Sequence, residues 1–315
     1  MPTITQLEYL VAVSKQKHFG RAAKDCNISQ PTLSAQIQKL EEELGIIVFD
    51  RSKKPVMTTD KGKKVVAQAR TILQEYSRLF DIPGSQEGLR GEFSLGIIPT
   101  LAPYVLPLFI ESFSEKYPDV KLNISEYKTE DIVRKLYDDE LDGGLLVTPL
   151  HDDKLIERSL FLEPFYGFVA DGHPHQTKSE LSDKDLESDD IWLLNEGHCF
   201  RDQVLKLCAQ NKDHHVLKSV NFESGNLETL KNLIRKGKGY TLLPHLATLG
   251  LSDSEKAKNL KPLKGPVPSR EVSLVHSRSF LKEDIIAALV DEIASHLPSD
   301  LKNLKRGQVK VVEID

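Results

Sequence analysis

The sequence predicts an α/β protein in which an all-helical head precedes a larger body of alternating strands and helices. Three observations carry this expectation. Apolar residues recur at helical spacing through the first 44 positions. From Phe93 onward, short apolar runs alternate with amphipathic stretches. Charge divides along the same line: residues 1–64 hold eleven Lys/Arg against seven Asp/Glu, a surplus of four, so the rest carries −9 of the net −5. A basic head on an acidic body is the pattern expected of a DNA-binding unit attached to a regulatory domain. At 315 residues the chain is long enough for two or three compact units, and 39% apolar with 28% charged residues is ordinary for a globular protein. Residues 1–20 lack a basic start followed by an apolar run, and no stretch approaches the ~18 apolar residues of a membrane span. The expectation is therefore a cytoplasmic chain without membrane contact, whose three cysteines are not structural disulfides.

In the head, Leu7, Leu10, Val11 and Val13 lie near one face of a first helix that Thr5 would cap. A short second helix is expected over His18–Asn27, with Cys26 as a packing residue. Ser29 should cap a third helix from Gln30 to Leu44, built on Leu33, Ile37, Leu40 and Leu44. Two short helices joined by a tight turn, the second polar on its outer face, make a helix-turn-helix. Its candidate DNA contacts are Ser29, Gln30, Pro31, Thr32, Ser34, Gln36 and Lys39, residue types suited to base edges and phosphates. Residues 49–59 read as a basic two-stranded wing turning at Lys54-Pro55, adding Arg51 and Lys53.

Arg21-Ala22-Ala23, Ser29-Gln30-Pro31-Thr32-Leu33-Ser34, Ile37-x-Lys39-Leu40-Glu41, Glu43-Leu44-Gly45, Phe49-x-Arg51 and Thr58-x-x-Gly62 together resemble the winged helix-turn-helix of LysR-type transcriptional regulators. That resemblance implies binding to double-stranded promoter DNA and contact with RNA polymerase. A following helix carries Val65, Ala69, Ile72, Tyr76 and Leu79 at alternating steps of four and three, an a/d seam. In the LysR family such a helix joins two subunits, so the resemblance implies a homodimer through this linker and a homotetramer beyond it. The divisions expected are 1–58 for the winged head, 59–82 for the linker helix, 83–90 for a turn-rich hinge, 91–300 for the regulatory domain and 301–315 for a charged, loose tail.

Within the body, strands are expected at Phe93–Ile98, Val120–Tyr127, Leu141–Val147, Tyr166–Ala170, Ile191–Leu194, Ser219–Glu223, Tyr240–Leu243 and Val272–Val275. Helices are expected at Pro103–Tyr117, Thr129–Tyr137, Asn226–Arg235 and Leu281–Leu297. The pattern resembles the two-lobed α/β, periplasmic-binding-protein-like regulatory domain of the LysR family, with the sensing site between the lobes.

The segment Gly197-His198-Cys199-Phe200-Arg201-Asp202 concentrates the chemistry. A cysteine flanked by His198 and Arg201 is a candidate low-pKa thiolate, and a helix starting at Cys199 would add the favourable field of its N-terminus. Phe200–Leu207 reads as that helix, with Val204, Leu205 and Leu207 inward. Nine helical steps separate Cys199 from Cys208 by roughly 13–14 Å, whereas a disulfide needs Cα atoms within about 7 Å. The pair can bond only if the segment refolds; packing and switching both stay open at this level.

Gly96-Ile97-Ile98-Pro99-Thr100, Pro103-Tyr104-x-Leu106-Pro107, the Gly197–Gln203 segment, Cys208, Leu227-Glu228-Thr229-Leu230 and Thr241-Leu242-Leu243-Pro244 resemble the peroxide-sensing members of the LysR family. The resemblance implies that hydrogen peroxide oxidises Cys199 to a sulfenic acid, that Cys208 resolves it as a disulfide, and that the oxidised form activates antioxidant genes. It also implies that Thr100, Thr129, Gly197 and His198 hold the peroxide. Taken alone, each threonine suits a helix cap. Arg201 suits either stabilising the thiolate or anchoring its loop, and Asp202 either orienting Arg201 or fixing the reduced helix. The loop of residues 209–218, with His214 and His215, is longer than the family pattern and should affect rearrangement. Neither that pair nor His173 and His175 has the Cys or carboxylate partners of a metal site, so no metal and no cofactor are expected. No Cys-x-x-Cys recycling motif accompanies the head, which argues for a regulator rather than an enzyme. The alternative is a LysR-type regulator that binds a small organic metabolite between its lobes, with incidental cysteines.

Overall fold

Thr3, rather than Thr5, starts the first helix. The computed structural model describes residues 1–81, 88–187, 190–195, 199–208, 226–277 and 282–313, and the chain divides into two units, Met1–Glu87 and Gly88–Asp315. In the first unit, α1 (Ile4–Gln16) opens with a capping box: the Thr3 hydroxyl accepts from the Gln6 N–H while the Gln6 side chain accepts from the Thr3 N–H. Thr5 has Glu8 at the same spacing but already lies within the first turn of the helix that Thr3 begins. α2 (Phe19–Asp25) is shorter than expected because the His18 imidazole caps it, accepting from the Gly20 and Arg21 amides. Cys26 follows it, half-buried against the head core.

α3 spans Gln30–Leu44, capped by Ser29 and ended by Gly45 at φ 65°, a conformation that glycine adopts without strain. β1 (Phe49–Asp50) and β2 (Met57–Thr58) pair antiparallel as the wing. Glu41 joins α3 to the wing, its carboxylate accepting from the Val48 and Phe49 amides at 2.7 and 3.0 Å. Gly62 has a different reason: a Cβ there would meet the Val48 carbonyl oxygen at 2.3 Å. Leu10, Val13, Leu33, Ile37, Leu40 and Phe49 form the buried core.

α4 (Asp60–Asp81) continues from the wing, and its apolar seam is divided. Val66 and Ala69 are buried in the head's own core with Val65 packed against it, whereas Ile72 and Tyr76 are each 39% exposed. The Leu79 side chain, residue 82 at the end of the expected linker and residues 83–87 of the expected hinge lie outside the described residues.

The second unit is built on β3 (Gly91–Ile97), α5 (Ala102–Lys116), β4 (Val120–Glu126), α6 (Thr129–Tyr137), β5 (Gly143–Thr148) and β6 (Ile156–Val169). It continues through α7 (Cys199–Cys208), α8 (Leu227–Lys236), β7 (Tyr240–Pro244), α9 (His245–Thr248), α10 (Asp253–Asn259), β8 (Leu260–Pro262) and β9 (Val267–His276). α11 (Glu283–His296), α12 (Ser299–Lys302) and β10 (Val309–Val311) complete it. Neighbouring strands run β4-β3-β5-β9-β6-β7, with β10 against β9 and β8 against β6. β3 is parallel to β4 and β5, as crossover helices require, whereas β9 is antiparallel to β5 and β6. Two cores result. One gathers Phe93, Phe109, Ile132, Val272 and Leu289; the other gathers Phe165, Phe168, Trp192, Phe200, Leu230 and Tyr240. β6 runs through both, with Phe161 in the first core and Phe165 in the second.

Several elements differ from expectation. β6 begins at Ile156 rather than Tyr166, because its first half alternates exposed Glu157 and Ser159-type positions with half-buried ones and has no continuous apolar run. β9 begins at Val267 rather than Val272, its opening residues Ser269, Arg270 and Glu271 being polar yet buried. Ile191 makes a single bridge to Tyr240 instead of starting a paired strand. The tail is not loose: β10 pairs parallel with β9 from Val309↔Val267 to Val311↔Ser269, and Val312 is buried beyond it. Alternation over so few residues is invisible among charged neighbours. The expected strand at Ser219–Glu223, the 209–218 loop and Leu281 lie outside the described residues.

Candidate functional site

Consecutive residues at the start of α7 go to different cores. Cys199 is half-buried and packs against the first lobe's core, whereas Phe200, Val204 and Cys208 are buried in the second. The two cysteines are the first and last residues of one continuous helix. The inward face comprises Phe200, Gln203, Val204 and Cys208; Leu205 and Leu207, expected inward, are half-buried, because the face is set by Phe200, which stacks edge-on against Phe165 at 5.5 Å.

Beneath Cys199 lies a buried charged network that the sequence did not reveal. Arg270 and Glu163 form an ion pair at 2.8 Å with both side chains 0% exposed. Glu163 also accepts from the Leu246 amide at 2.8 Å. The other edge of the guanidinium donates to the Thr100 hydroxyl at 3.0 Å and the Thr100 carbonyl at 3.2 Å, and its plane lies 5.7 Å from the Phe200 ring centre. The buried cation is thereby held by a carboxylate, a hydroxyl, a backbone carbonyl and an aromatic face, the kind of compensation that burial of a charge demands. Glu163 and Arg270 both sit in continuously buried stretches of β6 and β9, so no alternation in the sequence marks them.

Neither threonine caps a helix. Thr100 lies between β3 and α5, where it accepts from Arg270. Thr129 is the first residue of α6, after Lys128 at the cap position, and its buried hydroxyl has no oxygen or nitrogen partner. That hydroxyl lies close enough to the Cys199 sulfur to favour its ionised form.

The expected low-pKa thiolate is not what the folded site produces. Burial pushes the Cys199 thiol up; the Thr129 hydroxyl, the Arg270 charge and the Phe200 backbone N–H oppose it, and Asp202 adds a small upward push. Desolvation of sulfur at the lobe boundary outweighs the helix terminus and the nearby cation. Arg270, from β9, is the cation that acts on the sulfur. The Arg201 guanidinium donates to the Leu194 carbonyl at 2.8 Å and so anchors the loop before the helix, while Asp202 faces outward. Cys208 is drier still, its thiol pushed up to about 12 by burial alone. Gly197 and His198 lie outside the described residues, as do His214 and His215. His173 bonds Asp190 and His175 bonds the Asp185 carbonyl, so both serve the second lobe's packing; among the described residues no metal-binding cluster occurs.

A tie spans the lobes beside this site. The Tyr104 hydroxyl of α5 donates to Glu228 of α8 at 2.8 Å, and Lys231 donates to the same carboxylate at 2.7 Å. Burial and the Glu228 bond drive the Tyr104 phenol upward, so the tie stays intact.

Residues 4–63 match the family described as bacterial regulatory helix-turn-helix protein, lysR family, and residues 86–298 match the LysR substrate binding domain. The chain belongs to the LysR family. Among LysR-family relatives, a Haemophilus influenzae protein named hydrogen peroxide-inducible genes activator is 36% identical over 303 residues, spanning 93% of this chain and 98% of its own. The Escherichia coli K12 protein named DNA-binding transcriptional dual regulator OxyR is 36% identical over 277 residues, covering 87% of this chain and 88% of its own. A solved structure of full-length OxyR from Pseudomonas aeruginosa matches with a TM-score of 0.78 at 33% identity, covering 94% of this chain and 98% of that one. The relatives are transcriptional regulators, and this chain is read as a LysR-type regulator, not an enzyme.

In the LysR-type head, the expected DNA contacts divide by geometry. Gln30, Pro31, Thr32, Lys39 and Lys53 are exposed on α3 and the wing. Ser29 is exposed but occupied at the helix start, its hydroxyl 2.7 Å from that of Thr32. Gln36 accepts from Gln6 at 3.2 Å and is half-buried. Arg51 braces the wing: it donates to Ser34 at 3.0 Å and to Glu41 at 2.9 Å, and lies 4.9 Å over the Phe19 ring. Among the described residues no helix is long and apolar enough to cross a membrane.

Proposed function

We propose that this LysR-type regulator senses hydrogen peroxide through Cys199 and in its oxidised form activates antioxidant genes. The observation that carries the reading is the Thr129 hydroxyl, buried and without an oxygen or nitrogen partner, directed at a half-buried cysteine sulfur beside Arg270. An unmet hydroxyl next to sulfur suits a small polar oxidant. The names of the relatives over nearly the whole chain support the same reading.

Cys199 sulfur attacks one peroxide oxygen, the O–O bond breaks, and the departing hydroxide takes the thiol proton, leaving a sulfenic acid and water. Thr100, Thr129, Gly197 and His198 hold the peroxide and stabilise the developing hydroxide. Arg270 supports the ionised sulfur, Arg201 fixes the preceding loop, and Asp202 tempers both. Cys208 then attacks the oxidised sulfur, the S–OH bond breaks, and the leaving hydroxide takes the second thiol proton. Two thiols are oxidised and one peroxide becomes two waters. Because α7 holds the sulfurs at opposite ends of ten residues, the second step requires refolding of 199–208, with the 209–218 loop tuning it. That refolding is the signal.

The head carries the signal to double-stranded promoter DNA through Ser29, Gln30, Pro31, Thr32, Ser34, Gln36, Lys39 and Lys53, with Arg51 holding the wing in place. Ile72 and Tyr76, uncovered on α4, form the homodimer seam; a homotetramer in the cytoplasm that contacts RNA polymerase completes the assembly.

The test is to titrate the reduced protein with stoichiometric peroxide and map disulfides by mass spectrometry. A Cys199–Cys208 bond forming faster than in free thiols is expected. Its absence, with a small organic acid instead changing DNA binding, would establish the metabolite-binding alternative.

A further inference from the structure

We propose that Gln203 is a positioning residue which, with the C-terminal strand, straps α7 in its helical form while the cysteines are reduced, so that the tail sets how readily the Cys199–Cys208 bond closes. The second half of this statement rests on the disulfide reading above; the first does not.

Gln203 is fully buried, and its side-chain nitrogen donates to the Val312 carbonyl at 2.6 Å, across 109 positions of sequence. One turn further along α7, the Lys206 ammonium donates to the Glu313 carbonyl at 3.0 Å. Positions three apart lie on one helix face, so α7 presents one face to the tail while Phe200, Val204 and Cys208 fill the second lobe's core.

The tail is itself held. β10 is paired with β9, the Val312 amide donates to the Ser269 carbonyl at 2.9 Å, and the Val312 side chain is 7% exposed within that core. Ser269 precedes Arg270 on β9, so the strap fastens α7 to the strand that carries the cation beside Cys199.

The orientation of the Gln203 amide is dictated by its partner. A backbone carbonyl only accepts, so the NH2 must face Val312. The Gln203 oxygen, also buried, has no partner. The amide thus hangs on the tail alone, and removing the tail leaves an entire buried amide unsatisfied, which disfavours the helix. Both strap bonds depend on the helical placement of residues 203 and 206. Bringing the cysteine Cα atoms from roughly 13–14 Å to within about 7 Å destroys that placement. The strap therefore binds the reduced conformation and not the bonded one, and shifts the balance by its differential contacts.

The experiment compares the full-length reduced protein with Gln203→Leu, which keeps the side-chain bulk, and with a chain ending at Gln308; circular dichroism confirms that each is folded. Backbone hydrogen exchange over 199–208 should quicken about tenfold in both, by the loss of a buried hydrogen bond. Against a glutathione buffer both should favour the disulfide about tenfold, ~30 mV. Sulfenic acid formation in a Cys208→Ser background should change less than twofold. Unchanged exchange over 199–208 in Gln203→Leu overturns the strap, as does a rate of sulfenic acid formation that changes as much as the equilibrium. A wild type that never forms the bond defeats the disulfide reading, and the exchange measurement then still decides whether the strap exists.

Discussion

The two ends of α7 carry the same side chain in opposite surroundings. Cys199 sits half-buried at the lobe boundary with a hydroxyl, a guanidinium and a backbone N–H all favouring its ionised form. Cys208 sits in an apolar core where burial alone acts on it. Both thiols are pushed upward, yet only the first has groups that lower the barrier to its ionisation. The different surroundings, rather than the helix or the residue type, which are common to both, set the two thiols apart. In the proposed mechanism the buried Cys208, its thiol pushed upward by burial, would react only when its core opens.

This contrast can be broken most forcibly at Cys199. Cys199→Ser should abolish peroxide consumption, a loss of about a hundredfold or more, whereas Cys208→Ser should trap an oxidised Cys199 visible by mass spectrometry. Equal losses in both variants would remove the asymmetry. Next comes pH. Because the Cys199 pKa is raised, the thiolate fraction, and with it the oxidation rate, should climb about tenfold per pH unit from neutrality toward pH 9; stopped-flow rates that stay flat would mean the thiol is already ionised. Thr129→Val removes the hydroxyl that favours the ionised sulfur and should slow oxidation roughly tenfold at constant pH.

Cys208 gives a smaller, stability-based effect. Its folded pKa is raised, so the native state keeps a proton that the unfolded chain releases above its usual value near 9. The stability it contributes is present below pH 9 and is lost as pH rises toward about 12. Denaturant midpoints of Cys208→Ala should accordingly fall less steeply across that window than those of the wild type. Smallest of all, Asp202→Asn removes a charge that nudges Cys199 upward, and oxidation at neutral pH should quicken by about twofold.

The head was more legible than the body, and particular residues say why. Ser29 and Gly45 bracket α3 because capping and chain reversal are decided by the residue itself and its next few neighbours. The Arg51 charge suits phosphate, and only the fold shows that Glu41, Ser34 and Phe19 also lie where they engage it. In the body, Thr129 and Cys199 could be named from motifs, whereas Arg270 and Glu163 could not, because polar residues within strands read as edges or loops until a partner 107 positions away is known.

What the sequence alone determined is local and periodic: a basic winged head, an amphipathic linker, an alternating α/β body and a short helix over Phe200–Leu207 between two cysteines. Hydrogen-bond capping and side-chain periodicity act over a few residues, so they are readable in order. Tertiary structure alone decided the surroundings of those cysteines, the cation beside Cys199, and the fate of the tail, which turned from a loose end into a strand paired with β9 and bonded to α7. Desolvation and charge depend on everything within several ångströms regardless of chain order, and β9 brings Arg270 and the tail to the site from far along the sequence.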